Sequence, residues 1–476
     1  MDKREEFKHY MLAGHGRAFK LLENNRKTFR DIVLYGCLND ISFDMQCEGS
    51  RGYYMYNLVW EYGDSEYFLK QAIEKFLTDD INDDWHTICH LCDFIRLFAE
   101  NNKDKNALDA LLKKYDDLYS IIMSSRYSQK IKSVIESFEY VSITLMQIFD
   151  FKFALKIFGD MGAYFIKRRR TPNENLKWLF SWFYCETKEK YGEEFLKKEI
   201  ENLILNFKEI KRFYIIMNTG ETKYQQTELP TADEPTKPDE PTTPDERPEP
   251  TAENVLKQIE TDSFSPAKAL YFRRNAKQSE KIKLADMILT ENDLNKKTEM
   301  LKIYSLQDCP FPLDPSILIE YANSKNKSLR NTAAKALSCI RADCVRNFAL
   351  KMLSENNSAD MLNVLIYNCR ENDRDIIFKH LDDLAYNTDC ACNLHNVMFT
   401  IIDTAESIDT ENKLLNELLV FGYENSPCSC CRENIVGELA KRNLLSENMI
   451  SECRFDCNIE IRQTVDNLNK ILPENS

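Results

Sequence analysis

Two stretches near the start of the chain carry residue types suited to binding a small anion. They are Gly14-His15-Gly16-Arg17 and Asp44-Met45-Gln46-Cys47-Glu48-Gly49-Ser50-Arg51-Gly52, the second opening onto the aromatic run Tyr53–Tyr62. A helix beginning at that run would aim free backbone N–H groups and the positive end of its dipole at Gly49 and Ser50, and Arg51 would add a full charge. Glu48 with His15 has the makings of an acid–base pair. The competing reading makes Ser50 a helix cap and turns the charges into an ion pair between helices. His15, Arg17, Glu48, Ser50 and Arg51 are therefore the ligand candidates, and no residue is assigned a catalytic role.

Cysteine supplies the next candidates. Cys390 and Cys392 come with His395, followed by Cys428, Cys430, Cys431, Cys453 and Cys457. Zinc needs four ligands converging tetrahedrally, usually presented by two Cys-x-x-Cys turns. The spacings here are C-x-C, C-x-CC and C-x-x-x-C, so the expectation is buried packing, with no metal and no cofactor. A Cys-x-x-Cys does occur at Cys89 and Cys92, with His86 and His90 on neighbouring turns. Strongly helical text surrounds it (Trp85, Ile88, Leu91, Phe94), where a redox motif would need a preceding strand. That cluster reads as core.

Basic residues gather twice. Lys167-Arg168-Arg169-Arg170 precedes Thr171-Pro172, a pattern that ends a helix and complements its dipole. Arg273, Arg274 and Lys277 follow in the second half, with Lys281 and Lys283 beyond. Both clusters are candidates for contact with a phosphate or an acidic partner. Phosphate-binding loops, dinucleotide fingerprints, nucleophile elbows and His-Glu-x-x-His are all missing from the text.

The elements that must position these residues are helical. Hydrophobic residues make up 43% of 476 positions, with only 12 glycines and 14 prolines. Seven of those prolines fall between 230 and 250, inside the Thr- and acid-rich stretch 227–252, which reads as an extended tether. It separates an all-helical module, 1–218, from a second helical part, 253–474. In the first, a dense set of aromatics (Tyr53, Tyr54, Tyr56, Trp60, Trp85, Trp178, Trp182, Phe183, Tyr184) is assigned to the core of about ten helices. The second shows repetition, with helices beginning near Asn326, Ser358, Cys390, Cys428 and Cys457, at intervals of about 30 to 38 residues.

Asn326-Lys327-Ser328-Leu329-Arg330 followed by Ala333, Ala334 and Leu337 resembles the first helix of the HEAT-repeat family. Asp456-Cys457-Asn458-Ile459-Glu460-Ile461-Arg462 followed by Val465 and Leu468 is similar, and Arg432 ahead of Ile435, Val436 and Leu439 is a looser match. The resemblance covers the C-terminal half and implies a stacked α-solenoid; the usual helix-kinking proline is missing. The N-terminal half resembles uncharacterised bacterial helical-repeat proteins, which implies no mechanism.

These readings give an all-α chain whose expected role is a non-enzymatic scaffold or adaptor binding another protein. The alternatives are a ligand-binding N-terminal module and a DNA-binding protein similar to the HEAT-like alkylpurine DNA glycosylases. A net charge of −14 disfavours nucleic acid as the main partner. Neither an export signal nor a long apolar run is present, so the cytoplasm is the expected compartment and no membrane contact is expected.

Overall fold

The computed structural model describes residues 2–23, 26–78, 85–124, 129–168, 174–219, 249–306, 308–355, 359–385, 391–407 and 412–471. Every regular element among them is a helix, as the breaker-poor, Leu- and Lys-rich text requires. None is long and apolar enough to cross a membrane. The expected tether lies outside the described residues as far as 248. At its end Thr251 already caps the helix Ala252–Glu260, its hydroxyl accepting from the Asn254 N–H at 3.3 Å.

The chain divides into two compact units. The first comprises Met1–Ala232, Cys428–Cys430 and Ser446–Ser476; the second comprises Asp233–Pro427 and Cys431–Leu445. Residues 446–471, grouped with the second half on sequence pattern, thus belong with the N-terminal helices.

In the first unit the helix Trp85–Asn101 is central. It packs against Gly52–Tyr62, Ser65–Thr78, Lys105–Ser124 and Gln129–Ile148. One hydrophobic core runs from Phe7 to Ile216 and includes Tyr54, Tyr56, Phe183 and Tyr184. Among the described side chains, which leave out Trp85 and Trp178, three members of the expected aromatic core depart from it: Tyr53 is 48% exposed, Trp60 45% and Trp182 43%. Each lies on the outer side of an amphipathic helix, where helical spacing alone does not say which face is covered.

In the second unit, helices begin at Lys327, Ala359 and Ala391. Leu294–Leu301 packs on Lys327–Leu337, that helix on Ala359–Tyr367, and that in turn on Ala391–Ser407. The intervening helix Asp343–Glu355 packs on Ala359–Tyr367 and on Pro315–Ala322. Each amphipathic helix covers the apolar stripe of another, which a lone helix could not do. Arg330 and Arg432 lie near the starts of their helices and reach back to the carbonyls of Ser324 and Ser426, at 3.3 and 3.2 Å. In the first unit Arg462 does the same to Asp456 at 2.6 Å. All three bonds span six residues.

Candidate functional site

Of the five ligand candidates of the first unit, Arg17, Glu48 and Arg51 are tied into packing against its C-terminal residues. Gly52–Tyr62 starts with Arg51 in the capping position, and the hydroxyl of Ser50, one residue earlier, accepts from the Gly52 N–H at 3.4 Å. The Ser50 hydroxyl also donates to Asp93, whose carboxylate accepts from the Tyr140 hydroxyl at 2.7 Å. Arg51 is 1% exposed and pairs at 2.9 Å with Glu48, itself fully enclosed. Burial pushes the Glu48 carboxyl up, but the Arg51 charge and N–H groups of Ser429 and Asp44 outweigh it and hold it below its ordinary value. The other end of the Arg51 guanidinium meets the Cys457 sulfur.

Arg17 faces the same segment, and His15 holds its backbone. The His15 ring nitrogen Nδ1 accepts from the Arg17 backbone N–H at 3.0 Å, and its carbonyl accepts from the Tyr54 hydroxyl at 3.0 Å. Arg17 spans Glu452 at 2.9 Å and the Tyr10 hydroxyl at 2.6 Å. The two glycines permit this close approach. Gly14 sits at φ +66° with its carbonyl accepting from the Cys457 N–H at 2.9 Å, and a Cβ on Gly16 would lie 1.8 Å from the Glu452 carbonyl oxygen.

Beyond this clasp lies a cleft of about 230 Å³. Tyr53, Asn57, Trp60 and Glu61 line one wall from a single helix face, at the i, i+4, i+7, i+8 spacing. Arg454, Phe455, Asp456 and Arg462 line the other. Arg462 is pinned by the carbonyls of Asp456 and Cys457, at 2.6 and 3.0 Å, and its guanidinium lies 4.9 Å from the Tyr53 ring centroid. Phe455 stacks on Phe19 at 4.9 Å, and Phe19 meets Tyr54 edge-on at 5.4 Å. Trp60 stacks against Phe98 at 6.3 Å. The walls are therefore braced from behind while Tyr53, Trp60 and Phe455 keep 48%, 45% and 40% of their surface exposed.

The chain matches no protein-family model, no curated protein and no solved structure.

Sequence reasoning missed this cleft twice over. It placed Tyr53 and Trp60 in the core, and it assigned Phe455 and Arg462 to the second half. The available signal was Asn57 and Glu61, polar residues on the same helix face as the two aromatics, which mark that face as outward.

In the second unit the ligand atoms of His395 and Cys431 lie within 4.8 Å of one another. Cys392 is exposed, whereas in the first unit Cys428 and Cys453 are buried. There the Cys430 sulfur contacts the Cys47 carbonyl at 3.5 Å and Cys457 meets Arg51, while Cys390 lies outside the described residues. Cys89, Cys92 and His90 are fully buried, and burial pushes the Cys92 thiol far up, as expected of core. Of the remaining cysteines, Cys37 and Cys339 are buried and Cys369 half-buried, whereas Cys185 is exposed.

Of the basic candidates, Lys167 donates to the Met123 carbonyl at 2.7 Å and Arg168 closes the helix Phe151–Arg168. Arg169 and Arg170 lie outside the described residues. Arg274 and Lys277 are exposed, but Arg273 is only 9% exposed and turns inward.

Proposed function

We propose that this chain is a non-enzymatic helical scaffold that binds another protein, and that the aromatic cleft of its first unit receives the partner. The observation that carries the reading is the half-exposed trio Tyr53, Trp60 and Phe455, braced from behind and flanked by Arg462. Tyr, Trp and Arg dominate the energetic centres of protein interfaces because they bury large area with few rotatable bonds to immobilise. A cleft of about 230 Å³ suits one aromatic or branched aliphatic anchor rather than a large cofactor. Glu48 and Arg51 support the non-catalytic reading, since they are spent on each other and on the fold.

The repeating helix contacts of the second unit, with the recurring Arg-to-carbonyl bond, fit the HEAT-like stack that the sequence pattern resembles. A stacked array presents a wide and fairly rigid surface, so little ordering entropy is lost on binding. This role suits the cytoplasm, where the many thiols stay reduced.

The test is affinity capture from the native host with wild-type chain, Trp60→Ala and Phe207→Ala. Phe207 is an exposed aromatic of the same unit outside the cleft, 50% exposed. The expected result is a partner retained by the wild type and Phe207→Ala but lost with Trp60→Ala, all three melting alike. Identical capture by wild type and Trp60→Ala would sink the reading.

A further inference from the structure

The second unit holds a different kind of site, built around Arg273. Its pocket has a volume of about 400 Å³ and lies among the helices Pro266–Asn275, Leu294–Leu301 and Lys327–Leu337. Arg273 lines it while being only 9% exposed, and its Nε has no hydrogen-bond partner. The nearest carboxylate in an ion pair with it, Asp308, stands 3.8 Å from one terminal nitrogen, beyond hydrogen-bond reach, and is itself 48% exposed. A buried guanidinium left with an unmet N–H costs free energy unless something supplies an acceptor.

The rest of the lining says what that something is. Lys302 and Lys335 add two further cations, against a single acid, Glu299, which already pairs with Lys302 at 2.5 Å. Ser305 and Thr332 contribute hydroxyls, while Phe264 and Leu306 supply an apolar wall. In a chain of net charge −14, a recess lined by three cations and one acid is a marked local inversion. Arginine's planar fork matches a phosphate better than a point charge does. The volume exceeds what phosphate alone would fill, so the remainder faces an apolar group.

We propose that this pocket binds a small phosphate monoester, with Arg273 holding the phosphate, Lys302 and Lys335 completing its charge balance, and the Phe264–Leu306 side accepting the organic group. This site is independent of the protein-binding reading of the first unit.

Calorimetric titration of the full chain with phenyl phosphate, inorganic phosphate and benzoate tests it. Saturable binding of phenyl phosphate is expected, with inorganic phosphate and benzoate each weaker by about tenfold or more, since each lacks one half of the match. Arg273→Met should abolish the heat. Lys335→Ala changes an exposed side chain and so should keep the fold, and it should weaken binding about threefold to tenfold. Three results would overturn the proposal: no saturable binding of phenyl phosphate to the wild type, benzoate binding as tightly, or Lys335→Ala binding unchanged.

Discussion

Arg432 donates to the carbonyl oxygen of Ser426 across 3.2 Å from a side chain with no solvent exposure. Ser426 caps the C-terminal end of Lys413–Asn425, and Arg432 sits in the first turn of Ser429–Lys441. The guanidinium therefore satisfies a carbonyl at a helix end, where intrahelical partners run out, and fixes the turn into the next helix. Arg330 with Ser324 and Arg462 with Asp456 repeat the device. Arg432→Ala should destabilise by roughly 2–4 kcal/mol, because burial makes the loss of a charged donor expensive. Arg330→Ala, at an exposed position, should cost under about 1 kcal/mol. Urea unfolding followed by circular dichroism measures both.

The Arg51–Glu48 pair is enclosed on all sides, so removing one partner strands the other charge. Arg51→Ala should lower stability by about 3–5 kcal/mol. A double variant, Glu48→Leu with Arg51→Met, should be less destabilised than Arg51→Ala, since no lone charge remains buried. A melting temperature unchanged by Arg51→Ala would instead return this residue to the list of ligand-binding groups.

Gly16 faces the carbonyl of Glu452 so closely that any side chain collides with backbone. Gly16→Ala should cost roughly 1–3 kcal/mol by overpacking. The loss should be local, with the helices Glu447–Cys453 and Ile459–Ile471 losing hydrogen-exchange protection first. Protection in those helices equal to that of the wild type would count against a clasp at this point.

Glu139 is 3% exposed, and burial pushes its carboxyl up to about 8, with the repulsion of Glu136 adding to the rise, despite the Phe183 N–H that it accepts at 2.7 Å. The folded state thus keeps the proton that the unfolded chain releases near its ordinary carboxylate range, about 4.3. Stability contributed by this group is fully present below that range and declines as pH rises toward 8. Glu139→Gln keeps a carbonyl acceptor for Phe183 and cannot ionise. Its melting temperature should therefore exceed the wild type's at pH 8, and the gap should close toward pH 4.5. Parallel pH profiles for the two proteins would contradict this assignment.

Much of the helical framework was legible in the text. Helix starts expected near Asn326, Ser358 and Cys428 appear at Lys327, Ala359 and Ser429, because caps and apolar spacing are local properties that act over a turn or two. The arginines singled out at 330, 432 and 462 proved to share one bond for the same reason, six residues being within local reach.

Long-range docking was not legible. Arg51 meets Cys457 across 406 residues of chain, and Arg17 meets Glu452 across 435. No periodicity encodes such a pairing, so His15, Arg17, Glu48 and Arg51 looked like a ligand site and became a clasp. Tyr53 and Trp60 likewise looked like core, and only the packing of neighbouring helices left their faces open. Arg273 looked like part of an exposed basic strip alongside Arg274 and Lys277 and instead turned into a pocket. Amino-acid order along this chain dictates which stretches coil and which side of each coil is greasy. Which greasy sides are finally covered depends on contacts between segments hundreds of residues apart, and those contacts are won by shape and burial rather than by local spacing.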